Sequence, residues 1–203
     1  ALPLLVPPDA LGLRAAGCTG TGGRDRLLLP VSGMPTDPPS GDKPRLRRQM
    51  RARRSSLSPA AARAAAFSAV HRLWSLPCLA RARRLALYLP ADGELDCTPL
   101  AVQAWRRGRQ VFLPVITGET LRFAPFHSRS EMRANRFGIA EPVTPRRNWR
   151  TAHELDVIVA PLVAFDFQGR RLGMGGGFYD RTLAFLTRGS RGRRPHFIAL
   201  AYE

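Results

Sequence analysis

The sequence predicts an α/β fold, a three-layer α/β/α sandwich on a mostly parallel sheet in a single domain. Apolar stretches of strand length at Leu85–Leu89, Val111–Ile116, Leu121–Phe126, Leu155–Phe165 and His196–Tyr202 alternate with helical patterns. Several of them are continuously apolar, as expected for parallel strands covered on both faces. The chain of 203 residues, 44% hydrophobic, suffices for one ordinary core without a disulfide or metal staple.

Each element has its own signal. Residues 1–42 are rich in Pro, Gly and small residues without a sustained period, and the expectation is a disordered leader. Met34 is a candidate translation start, which would make that leader a start-site artefact. The opening Ala-Leu-Pro-Leu-Leu-Val-Pro-Pro is too short for a membrane span, is broken by proline and lacks the basic n-region of a signal peptide. The domain is expected over 43–203. Pro44 suits a first helical turn, and Leu46, Met50, Arg53 and Leu57 follow at helical spacing. Ser58-Pro59 is an N-cap and N1 pair. It opens an Ala-rich helix with Phe67, Val70, Leu73 and Trp74 on one face, ending before Pro77; Phe67 and Trp74 are expected in the core. Thr98-Pro99 starts another helix that Gly108 closes, and a last one is expected over Phe178–Thr187.

The formal net charge of +17 would attract polyanions at low salt. Residues 1–42 carry three Arg and four Asp, so the excess lies beyond them, and no acid occurs from Lys43 to Ala91. Yet the aromatic residues do not interleave with the basic ones as a base-stacking platform requires. Lys43 is the only lysine, so arginine is this chain's default cation, and no specific nucleic-acid partner is expected. Cys18, Cys78 and Cys97 are odd in number and widely separated, which points to reduced thiols in a cytoplasmic protein. His71, His127, His153 and His196 show no metal-ligand or triad spacing.

The most informative segment is Arg171-Leu-Gly-Met-Gly-Gly-Gly-Phe-Tyr-Asp-Arg181, with four glycines in five residues. Glycine takes positive φ and admits close approach to the backbone. Clustered glycines ahead of a helix turn several N–H groups outward beside the positive end of its dipole, which suits a phosphate. The spacing is neither that of a P-loop nor Gly-x-Gly-x-x-Gly. Glycines alone would favour a plain turn; Arg171, Arg181, the pair Phe178-Tyr179 and Asp180 shift the reading to a nucleotide-phosphate site. Ligands of such sheets bind at the carboxyl ends of strands, where this loop and Glu94 both fall.

These residues resemble the signature of the 5-formyltetrahydrofolate cyclo-ligase family. Three further segments agree in order: Lys43-Pro-Arg-Leu-Arg47, Leu87-Tyr-Leu-Pro-Ala-Asp-Gly-Glu94 and Asn135-Arg-Phe-Gly-Ile-Ala-Glu-Pro142. The resemblance implies ATP- and magnesium-dependent closure of 5-formyltetrahydrofolate to 5,10-methenyltetrahydrofolate, with ADP and phosphate released. It assigns ATP contacts to Lys43, Pro44, Arg45, Leu46 and Arg47. It assigns them also to Arg171, Leu172, Gly173, Met174, Gly175, Gly176, Gly177, Phe178 and Tyr179. Arg171 and Tyr179 are the catalytic candidates, and Asp180 is the magnesium ligand. Substrate contacts fall on Leu89, Glu94, Met174, Gly175, Gly176, Gly177 and Phe178. A carboxylate at Glu94 is the natural reader of the pterin's N–H donors. Glu141 is either part of the site or ordinary turn chemistry. Phe178 replaces the more usual tyrosine, and the chain ends at Ala201-Tyr202-Glu203, short of a segment that normally brings a second magnesium carboxylate. The expectation is therefore a C-terminally truncated, monomeric enzyme acting on a reduced formyl-folate, with no membrane partner. Two other readings compete: a different enzyme of the same architecture (a sugar-phosphate isomerase or acyl-coenzyme A transferase), and an inactive Arg-rich binding module for RNA or acidic partners.

Overall fold

Helices α1 (Lys43–Ser55), α2 (Pro59–Trp74) and α3 (Pro77–Arg81) lead into strand β1 (Arg84–Ala86). Then come α4 (Thr98–Arg106), the antiparallel pair β2 (Gln110–Thr117) and β3 (Thr120–Phe126), and a small hairpin of β4 (Met132–Ala134) and β5 (Ala140–Pro142). The chain continues through β6 (Val157–Pro161), β7 (Ala164–Phe165), β8 (Arg171–Leu172), α5 (Phe178–Thr182) and β9 (His196–Leu200). This computed structural model describes residues 42–165, 171–187 and 195–202; the expected leader at 1–42, apart from Asp42, and Glu203 lie outside the described residues. The central sheet has the order β3-β2-β1-β6-β9, parallel except for β3.

The register explains the core. Leu85 lies beside Val111 and Val157, and Ala86 beside Phe112 and Ile158. Successive residues of a strand point to opposite faces. Leu85, Leu87, Val111, Leu113, Val157 and Val159 therefore pack on one side, against Val70, Leu73, Leu79 and Leu100 of α2, α3 and α4. Ala86, Phe112 and Ile158 face the other side, with Phe123, Leu155 and Leu183. That second layer is thin: α5 and the 3-10 turns Ala152–Glu154 and Ala184–Thr187 supply most of it. At the sheet's lower rim Asp156 Oδ2 accepts from the Arg83 and Arg84 backbone N–H groups (2.8 and 3.0 Å), fixing β1 against β6.

Several elements differ from expectation. The ladder of β1 ends at Ala86; Leu87 N–H still donates to Phe112 O (2.9 Å), and the chain then leaves the sheet. The run Leu155–Phe165 is not one strand. It divides at Pro161, which has no N–H to extend a ladder, and β7 turns away to pair with β8. The helix expected at Phe178–Thr187 is the short α5 followed by a 3-10 turn. Phe67 is not core: it is 61% exposed, whereas Ala65, Ala66, Val70 and Leu73 are buried. Phe67 and Ala66 are one helical step apart, and the small side chains let α2 approach closely, so the aromatic faces outward. Trp74 does pack against the first core cluster. Among the described residues no helix is long and apolar enough to cross a membrane.

Candidate active site

Two loops leave the carboxyl ends of β1 and β6 and face α1. The first is an acidic turn. Its base is closed by Tyr88 Oη donating to Leu95 O (2.6 Å) and by Cys97 Sγ donating to Tyr88 O (2.9 Å). Burial pushes the Cys97 thiol up to about 12, so it stays protonated and serves as a structural donor. Asp92 and Gly93 both take positive φ (49° and 73°), which reverses the chain and brings Glu94 back toward Ala91. Glu94 Oε2 accepts from Ala91 N–H (3.2 Å). Burial holds the Glu94 carboxyl above the ordinary carboxylate range, while the Ala91 N–H and the Arg54 guanidinium pull it down. Leu89 is half-buried against the first core cluster.

The second is the glycine loop, entered through the β7–β8 pair. Gly173, Met174, Gly175 and Gly176 are exposed, and Arg171, Leu172, Gly177, Phe178 and Tyr179 are half-buried. Gly175 has a φ of 106°, and Gly177 caps α5 at 67°. Arg181 braces the loop from behind, its Nη2 donating to Gly176 O and its Nε to Glu119 O (2.7 Å each). Arg171 pairs with Asp180 and lies over the Phe197 and Tyr179 rings (4.6 and 5.9 Å to centroids). Burial, reinforced by the neighbouring Cys97 and Glu94, raises the Tyr179 phenol well above its ordinary value. Tyr179 is thus a neutral hydrogen-bond donor that feels the acidic turn. The expected dipole contribution is smaller than the sequence implied, because α5 has only five residues. The positive potential at the loop comes chiefly from arginines.

Helix α1 joins the two loops. Arg47 Nε donates to Gly173 O (2.9 Å), and its guanidinium carbon lies 3.7 Å from where a Cβ on Gly175 would stand. One turn earlier Lys43 is exposed, four residues from Arg47 and so on the same side of the helix. Pro44 and Arg45 are exposed on that first turn, and Leu46 is half-buried. One turn later Arg51 pairs with Asp92 of the acidic turn. The structure therefore brings Arg47 to the glycine loop, groups Arg171, Tyr179 and Asp180, and sets Tyr179 within electrostatic reach of Glu94.

Other participants escaped the sequence reading. Arg51 and Arg54 were hidden among seven basic residues of one helix. Phe137, 55% exposed at the tip of the β4–β5 hairpin, meets Phe178 edge to face (6.0 Å, 73°). Its segment was singled out, but not this side chain. Asn135 shapes that tip by accepting from the Phe137 and Ile139 N–H groups (2.9 and 3.1 Å). Glu141 Oε1 accepts from Asn135 Nδ2 and Ile116 N–H (2.7 and 3.0 Å), so it anchors the hairpin to β2.

The residues fit a nucleotide and its metal. The exposed glycines leave open backbone beside the Arg47 guanidinium, a space that a side chain at Gly175 would occupy. Among the described residues no group of three His, Cys, Asp or Glu could hold a metal ion. Magnesium commonly uses one or two carboxylates together with phosphate oxygens, and the exposed Asp180 beside the loop suits that arrangement.

Comparison with known proteins identifies the family. The model of the 5-formyltetrahydrofolate cyclo-ligase family matches residues 39–203. A 5-formyltetrahydrofolate cyclo-ligase of Escherichia coli K12 is 44% identical over 137 residues, covering 66% of this chain and 75% of that protein. One from Haemophilus influenzae is 44% identical over 106 residues, covering 51% and 57%. The solved 5,10-methenyltetrahydrofolate synthetase of Aquifex aeolicus superposes with a TM-score of 0.65 at 32% identity, over 79% of this chain and 77% of that one. With its motifs and these likenesses in agreement, the chain belongs to the 5-formyltetrahydrofolate cyclo-ligase family.

Proposed function

We propose that this chain converts 5-formyltetrahydrofolate to 5,10-methenyltetrahydrofolate with conversion of ATP to ADP and phosphate, and that magnesium accompanies the nucleotide. The observation that supports this most is the span of α1. Its Arg47 reaches the glycine loop and its Arg51 reaches the acidic turn, so one helix links the phosphate-reading and heterocycle-reading groups.

ATP supplies the phosphoryl group that turns the amide-like formyl oxygen into a leaving group, which allows N10 to close the ring. The chain's own groups position the reactants and neutralise charge, as phosphoryl transfer requires. Arg47 lines the α1 side of the loop, Lys43 precedes it on the same helix face as a phosphate contact, and Arg171 opens the loop. Asp180 would hold magnesium beside the phosphates, and Arg171, which pairs with it, would then be available to a phosphate oxygen. Glu94, at the far side of Tyr179, accepts from the pterin's N–H donors. Leu89 and Phe178 offer apolar surface to the ring, and the Tyr179 hydroxyl donates without losing its proton.

The test is ADP release by the purified chain with magnesium, with and without 5-formyltetrahydrofolate. Release that depends on the folate supports the reading. Release independent of folate, or none from folded protein, overturns it.

A further inference from the structure

Arg47, Arg51 and Arg54 follow one another at steps of four and three, so they form one stripe along α1. The first two end on exposed partners, Gly173 O and Asp92. Arg54 goes deeper. It is 9% exposed, the buried charged side chain among the described residues. Its Cβ lies 3.6 Å from where a Cβ on Gly93 would stand, so it packs directly under the acidic turn. Its Nη2 is buried with no hydrogen-bond partner among the described residues. A guanidinium removed from water costs several kcal/mol unless an opposite charge compensates it.

Glu94 is the acid placed to do so. The groups that face it are Arg54 and Arg51 from α1, Asp92 from its own turn, Tyr88 beyond β1, Cys97 ahead of α4, and Tyr179 of α5. The two phenols and the thiol are held neutral by burial. Arg51 is already paired with Asp92. Arg54 is therefore the cation left to oppose the desolvation of Glu94, and it acts on that carboxyl more strongly than Arg51 does.

We propose that Arg54 is the positioning residue for Glu94: its buried guanidinium holds that carboxylate ionised and aimed at the N–H edge of the substrate's ring. The proposal rests on the reading of Glu94 as the pterin-binding acid. Arg54 need not touch the substrate. Its unpartnered Nη2 is a donor in reserve for the carboxylate once a bound ring orders the turn.

The sign of the effect follows from the charge. Glu94 must be ionised to accept from the ring, so substrate affinity falls as pH drops through its folded-state pKa. Removing the cation raises that pKa further, and the acid limb moves to higher pH. An opposite charge within about 4–6 Å of a carboxylate is worth about one pH unit or more, and on that scale affinity within the limb should fall about tenfold. Calorimetric titration of the full chain with 5-formyltetrahydrofolate, from about pH 4.5 to about pH 8, places a Glu pKa raised above its ordinary value inside the window. Arg54→Met should show the displaced limb, and Arg54→Lys, which keeps the charge, should restore most of it. ATP affinity should be unchanged in both. If Arg54→Met does not fold, Arg54→Gln keeps donors without charge and should show the same displacement. A limb that stays in place while affinity drops equally at every pH would mean Arg54 only packs, and would overturn the proposal. Glu94→Gln separates the two readings: it should weaken binding and abolish the limb. Unaltered binding there would refute Glu94 as the pterin acid, and the proposal with it.

Discussion

Substitution of Gly175 isolates what the glycine loop does. Its φ of 106° lies outside the ranges that L-residues adopt freely. Forcing a side chain there costs on the order of 1–3 kcal/mol. A methyl group at that position would stand 3.7 Å from the Arg47 guanidinium, an ordinary contact. Gly175→Ala thus tests backbone strain alone. Valine extends one bond further toward Arg47, so Gly175→Val adds a collision with the very group that faces the loop. If the native backbone geometry is what receives the nucleotide, Ala should weaken ATP binding about 5- to 150-fold, the equivalent of that strain. Val should lose it altogether. Thermal stability should change little, because the loop is exposed and outside both core clusters. The assay is calorimetric titration of each folded variant with ATP and magnesium. Parental affinity in both variants would refute the reasoning and reduce the loop to a connector.

Lys43→Arg should raise the Michaelis constant for ATP without changing the melting temperature, because a planar guanidinium replaces a compact point charge; Lys43→Ala should raise it further, with the folate constant nearly intact. Asp180→Asn should impair magnesium-dependent turnover, read from a magnesium titration, while costing at most about 1 kcal/mol of stability, since the Asp180 side of its pair with Arg171 is largely exposed. Leu85→Ala, at the fully buried centre of the sheet, should destabilise by about 2–5 kcal/mol in denaturant unfolding and leave activity per folded molecule unchanged.

Much of this architecture was legible because parallel strands and caps carry strong local signals. The runs Val111–Ile116 and Val157–Pro161 are apolar at every position, and Ser58-Pro59 caps α2 as read, with Ser58 Oγ accepting from Ala61 N–H (3.2 Å). The motif residues were legible as a set, since loops that need positive φ must spend glycines. What failed had physical causes. The buried stripe of α2 runs through Ala66, Val70 and Leu73, about 100° round the helix from Phe67, and hydrophobicity alone centres that face on the wrong residue. Pro161 lies inside an apolar run whose composition does not reveal that the ladder stops there. The α1 stripe was illegible because Arg47, Arg51 and Arg54 differ from their basic neighbours only in what they meet: a carbonyl, a carboxylate and a buried turn.

The most direct test of a single crevice performing ring closure is to follow both products in one reaction. Methenyltetrahydrofolate is measured by absorbance and ADP by a coupled assay, with 5-formyltetrahydrofolate, ATP and magnesium present. Equal amounts of the two, abolished together when either substrate is omitted, are the predicted result. ADP without methenyltetrahydrofolate, or neither product from a chain that melts cooperatively, would contradict the account.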